Sequence, residues 1–146
     1  ENSGKTDLKR GAYHFFSFES EGKAQAEHFI SIVPREEGML SPVVDIEFYG
    51  NRFYNKPDVA ETRRQLQSLL DKLEEHYGVK PLIYATESSY STYIRGAFDG
   101  YPLWIRNVYF SPNMGMPGKW TFWQYDSEAT LQGYSGEEEH IDLNVF

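Results

Sequence analysis

Asp45 and Glu47 stand with one residue between them at the end of the apolar run SPVVDIEFYG, Ser41 to Gly50. Val43, Val44 and Ile46 suit a β-strand covered on both faces. Side chains at i and i+2 of a strand point to the same face with Cα atoms ~6.6 Å apart, so the two carboxyls can converge on one substrate. Two carboxylates at that distance repel when both are ionised, which raises the pKa of one of them. An acid held protonated beside an ionised partner is what hydrolysis of a glycosidic bond requires. The same D-x-E spacing also arises by chance at a solvated strand end, and the spacing alone leaves both readings open.

The elements that must position this pair alternate along the chain. GAYHFF, Gly11 to Phe16, reads as a short strand on which only one of Tyr13 and His14 can face inward. His14 reads as a packed or hydrogen-bonded histidine, because its isolation from other His and from Cys argues against a zinc site. Ala26, Phe29, Ile30 and Val33 then fall at helical spacing, and Pro34 stops the run. After the carboxylate strand comes FYGNRFYNKP, a loop long enough to suggest a functional role. The spacing predicts a helix from Pro57, with proline at the first helical position, an apolar stripe of Val59, Leu66, Leu69, Leu70, Leu73 and Tyr77, and Gly78 as terminator.

PLIYAT from Pro81 reads as a strand, followed by a short helical segment carrying Tyr90, Tyr93 and Ile94. PLWIRNV from Pro102 is a further strand, and WTFWQYD, ATLQGY and HIDLNVF are β-rich with no room for helices between them. Such β/α alternation ending in consecutive strands predicts an α/β fold with a parallel sheet, open or curled into a barrel, and functional residues at the carboxyl ends of strands. Asp45 and Glu47 occupy such an end. Glu137 to Glu139 read as a solvated turn.

Composition narrows the chemistry. A chain of 146 residues, 40% hydrophobic, supports one domain over residues 1–146. A net charge of -8 argues against nucleic acid as the main partner. An aromatic fraction of 16% suits a ring-lined groove, for which polymeric sugars are one fitting class of ligand. The chain has no cysteine, which removes disulfide and thiol chemistry. No apolar run approaches the ~20 residues of a membrane span, and the polar opening ENSGKTDLKR carries no export signal.

In order and approximate spacing, GAYHFF, PVVDIE, PLIYAT, PLWIRNV, TFWQYD and HIDLNVF resemble glycoside hydrolase family 25, the Chalaropsis-type lysozymes, from about Gly11 to Phe146. The resemblance implies a β-1,4-N-acetylmuramidase that cleaves between N-acetylmuramic acid and N-acetylglucosamine in peptidoglycan, on a modified TIM-type (β/α)5(β)3 barrel. It implies Glu47 as general acid, Asp45 as partner carboxylate that stabilises positive charge or orients the N-acetyl group, and Asp142 as a further acid of the groove. It implies Tyr13, Tyr84 and Trp104 in the sugar-binding cleft, with Gln124 and Tyr125 from the WQY signature. Peptidoglycan strands are the implied partner, with no cofactor and no metal, at a secreted, cell-envelope or phage-encoded site of action.

The sequence departs from the family pattern at its start. Family members open with a Gly-Ile-Asp-Val-Ser strand whose aspartate joins the catalytic carboxylates, then a helix and a second strand before the GAYHF segment. Here ten polar residues precede Gly11, and Asp7 has no strand-like context. The expectation is a barrel incomplete at the N-terminus, with unpaired strand edges that are association hazards: a fragment cut from a longer protein, a barrel closed by pairing with a second copy, or a sheet that stays open. Arg106, where the family usually has a small residue, is expected to alter the cleft or contact a neighbouring carboxylate. Two alternatives follow: a glycan-binding remnant without hydrolysis, and an enzyme holding Mg or Ca on Asp45, Glu47 and Asp142.

Overall fold

The computed structural model describes residues 9–112, 120–134, 136 and 139–146. Asp7, Glu137 and Glu138 lie outside the described residues. The elements are β1 (Tyr13–Phe15), α1 (Gly22–Ile32), β2 (Val43–Ile46), α2 (Val59–Tyr77), β3 (Leu82–Thr86), α3 (Glu87–Ser89) running into a π-helical turn (Tyr90–Ile94), β4 (Leu103–Arg106), β5 (Phe122–Ala129) and β6 (Ile141–Val145). They build one six-stranded sheet in the order β1-β2-β3-β4-β5-β6. The first five strands run parallel and β6 returns antiparallel to β5. Among the described residues the sheet is open, with β1 and β6 at its edges.

Each central strand has one packed face and one half-open face. Val44, Ile46, Ile83, Ala85, Leu103 and Ile105 are buried in one core with Ala26 and Phe29 of α1 and Leu66, Leu69, Leu70 and Leu73 of α2. Full burial of a leucine contributes roughly 1.5–3 kcal/mol, so the α2 stripe anchors the layer. The residues between them, including Asp45, Tyr84, Trp104 and Arg106, are half-buried on the opposite face. A strand hydrophobic on both faces was the expectation for β2; Asp45 instead marks the face that the helices do not cover.

The ends of α2 are set locally. The Asp58 side chain accepts from the Glu61 N–H at 2.8 Å, and Gly78 closes the helix at φ 72° with its N–H donating to Glu74 O at 2.9 Å. Pro57 therefore precedes the cap and Val59 is the first helical residue, two positions later than the proline signal suggests, because the Asp58 carboxylate caps a free N–H of the first turn. The segment ATLQGY also differs from expectation: only Ala129 belongs to β5, and residues beyond it turn, with the Tyr134 N–H donating to Leu131 O at 3.1 Å. His14 is held on the helix side by Gln25, its Nε2 lying 2.8 Å from Oε1, and by an edge contact with Phe29.

Helices α1 and α2 meet most closely at Gly22, whose N–H donates to Gln65 Oε1 at 2.6 Å. A methyl group there would lie 1.9 Å from the Gln65 backbone oxygen, so the helices would have to part. Gly22→Ala is expected to destabilise the fold by about 1–3 kcal/mol and lower the melting temperature by several degrees in thermal unfolding. An unchanged melting temperature would contradict this close approach.

Candidate active site

Parallel register aligns side chains across the half-open face. One row runs Phe15, Asp45, Tyr84, Trp104 and Phe122, and the next joins Thr86, Arg106, Gln124 and Asn144. Glu47 lies one residue beyond Ile46, the last residue of β2, and continues the Asp45 face at the carboxyl end of the strand. Asp142, two residues before Asn144 on β6, shares that face. The sheet thus brings Asp45, Glu47, Tyr84, Trp104, Gln124 and Asp142 to one surface.

Asp45 and Glu47 are both half-buried. Desolvation, then the Glu47 charge, then a hydrogen bond shared with Glu47 push the Asp45 carboxyl up to about 7. Its Oδ1 is buried with no hydrogen-bond partner, which further disfavours ionisation. Glu47 is also raised, chiefly by desolvation, with Arg106 pulling down, Asp142 pushing up and the Asp45 hydrogen bond pulling down. A carboxyl-to-carboxyl hydrogen bond needs one proton, so the pair titrates as a unit that holds a single proton near neutrality. Asp45 is the member raised further, because it is the more desolvated and Arg106 pulls Glu47 down.

Aromatic groups floor the surface. The Tyr84 hydroxyl donates to Gln124 Oε1 at 2.6 Å, and desolvation followed by the Glu47 and Asp45 charges keeps that phenol neutral. The Tyr84 ring meets Trp104 edge-on at 5.3 Å, and Trp104 Nε1–H donates to Asn144 Oδ1 at 2.8 Å. Beyond the carboxyl ends of the strands a cleft of about 560 Å³ is lined by Glu47, Phe48, Phe53, Arg106, Asn107 and Tyr109, among others. The loop after Glu47 is tied down by Glu19, which accepts from the Tyr49 hydroxyl and from Arg52.

Two expected groove residues stand apart. Tyr13 is on the correct face but at the amino end of β1, 70% exposed, while Phe15 stands level with Asp45. The period of two from Tyr13 carries the signal for Phe15. Tyr125 follows buried Gln124 and meets the Trp123 ring edge-on, and the Trp123 Nε1–H donates to Asn107 O. Asn144 was missed, though IDLNV alternates it with Asp142. Among the described residues no three His, Cys, Asp or Glu side chains are placed to hold a metal ion, which does not favour a metal centre on Asp45, Glu47 and Asp142. No helix among them is long and apolar enough to cross a membrane.

Residues 1–134 match the sequence profile of Glycosyl hydrolases family 25, a span that contains Asp45 and Glu47 and ends before Asp142. A solved family 25 glycosyl hydrolase from Bacillus anthracis superposes with a TM-score of 0.92 at 46% identity, covering 99% of this chain and 67% of that one. The uncharacterised protein YegX of Escherichia coli K12 is 34% identical over 99% of this chain and 50% of its own length. Lysozyme M1 of Streptomyces globisporus is 30% identical over 99% of this chain and 52% of its own. The chain thus spans about half the length of the curated relatives it matches. Matched along most of its sequence and sharing the family's strand-and-helix framework, the chain belongs to glycosyl hydrolase family 25.

Proposed function

We propose that this chain acts as a lysozyme-type hydrolase on peptidoglycan, cleaving the β-1,4 bond between N-acetylmuramic acid and N-acetylglucosamine. The observation that carries the reading is the pair of half-buried carboxyls Asp45 and Glu47 on one face of β2, with Glu47 lining an aromatic cleft, in a family 25 chain. Of the pair, Glu47 is the member that lines the cleft, so it serves as general acid. The proton shared by the pair passes to Glu47 when the glycan binds; as the bond breaks it goes to the leaving oxygen, the sugar keeps the positive charge, and a water molecule then adds to the sugar and returns a proton to Glu47. Asp45 stabilises that charge, and its orphaned Oδ1 suits an acetamido N–H of the substrate. Asp142 adds negative potential, and Tyr84, Trp104 and Phe15 offer ring faces and edges to the sugars.

The resting proton on Asp45 favours a second assignment, in which Asp45 is the acid and Glu47 the ionised partner. Leaving-group dependence separates the two. With Glu47 as acid, Glu47→Gln lowers peptidoglycan cleavage about 10²–10⁴-fold and leaves hydrolysis of an aryl glycoside, whose phenolate departs unprotonated, much less affected. Asp45→Asn lowers both. The opposite pattern gives the acid role to Asp45, and full wall cleavage by Glu47→Gln removes the pair from the mechanism.

The pair also sets a pH dependence of stability. The folded Asp45 carboxyl titrates near 7, above its ordinary 3.8, so the folded state binds the extra proton. Its contribution is complete below about pH 4 and is lost as pH rises through 7. Glu61 and Glu75, drawn down by Arg64 and Lys72, act at lower pH and do not oppose this in that window. The melting temperature is therefore expected to fall between pH 5 and pH 8, and calorimetry of Asp45→Asn should show a flatter profile. A parent profile as flat as the variant's would contradict the shared proton.

A further inference from the structure

Arg106 is the one cation among the described residues that line the cleft, and the residues facing it are acidic or neutral. It projects from the last position of β4, in register with Thr86 and Gln124, and is half-buried. Its guanidinium donates to Ser127 Oγ at 3.1 Å and, among the described residues, makes no ion pair with a carboxylate within 4 Å. Glu87, which lines the same cleft, accepts from the Asn107 side-chain amide at 3.0 Å. The Arg106 charge reaches Glu47 and Tyr84 through space without a direct pair.

A half-buried guanidinium presents five N–H donors in a planar fork, and one neutral hydroxyl serves only part of it. Leaving the rest without an anion in a partly desolvated cleft is unfavourable, whereas a carboxylate there would be bound by charge-assisted hydrogen bonds. The surroundings also work against any anionic substrate: the chain carries a net charge of -8, and Asp45, Glu47 and Asp142 converge on the same surface. A cation at this point offsets that repulsion locally.

We infer that Arg106 is a specificity-determining residue that binds a carboxylate carried by the glycan strand beside the bond to be cut. This rests on the peptidoglycan reading above and names the substrate class within it: strands with a free acid near the reacting sugars, either the lactyl carboxyl of a peptide-free muramic residue or a carboxylate of the attached peptide. Neutral chitin-type oligosaccharides lack the group that the fork would hold.

The test uses three glycans of equal length: peptide-free strands with lactyl carboxylates, the same strands with those carboxyls converted to methylamides, and peptide-bearing strands. Dissociation constants are measured by calorimetry on the Glu47→Gln chain, with and without Arg106→Ala or Arg106→Lys, so the contrast is read without turnover. The parent background should bind the free acid on the order of tenfold more tightly than the methylamide. Arg106→Ala should erase that ratio, and Arg106→Lys should keep part of it. Preference for peptide-bearing strands over the methylamide, lost in Arg106→Ala, assigns the carboxylate to the peptide. Equal binding of all three glycans by the Arg106 chain, or a preference that survives Arg106→Ala, overturns the inference. Hydrolysis of peptidoglycan is scored separately on the unmodified chain, so a failure of the lysozyme reading is seen apart from a failure at Arg106.

Discussion

One buried oxygen organises this molecule's chemistry. Asp45 Oδ1 has no hydrogen-bond partner, on a strand whose other face is sealed against α1 and α2. Ionising both Asp45 and Glu47 in that setting places two charges together in a partly desolvated site, and a shared proton is the lower-energy solution. The neighbouring groups act on that balance. Arg106 favours the ionised form of Glu47, Asp142 opposes it, and neutral Tyr84 is turned to Gln124. Of the two carboxyls on this strand, Asp45 is thereby the harder to ionise.

The framework makes this possible by separating packing from chemistry along the strand period of two. Every second residue of β2, β3 and β4 goes to the helix-covered core, including Val44, Ile46, Ile83, Ala85 and Ile105. The intervening positions are then free of the packing constraint and carry Asp45, Tyr84, Trp104 and Arg106. Parallel register does the rest, since paired residues on neighbouring strands project on the same side. The loop after Glu47, fixed through Glu19 to Tyr49 and Arg52, holds the cleft's rim where the strand ends.

Much of this was legible in the sequence because it is local. The Leu66, Leu69, Leu70 and Leu73 stripe, the Gly78 terminator and the D-x-E pair follow from short periodicities, and all appear at the expected places. The family resemblance supplied the ordered set of segments. What escaped depends on contacts between distant segments. Tyr125 looked like a groove residue from its WQY context, yet its ring packs beside Trp123 while the Tyr84 hydroxyl of β3 bonds its neighbour Gln124. Phe15 stands level with Asp45 and Tyr13 with Val43, because register between β1 and β2 is not encoded in either strand alone. The register shifts of β5 against β6, between Gln124 and Asp126 and between Asp126 and Ala129, likewise belong to the pair of strands.

The measurement closest to the central claim is a carbon-detected NMR titration of the Asp45 and Glu47 side-chain carboxyls in the free chain. The shared-proton account predicts two coupled steps, with one proton retained on the pair until about pH 7 and Asp45 carrying most of it. Two independent titrations in the ordinary carboxylate range, near pH 4, would show both groups ionised at neutrality and would contradict it.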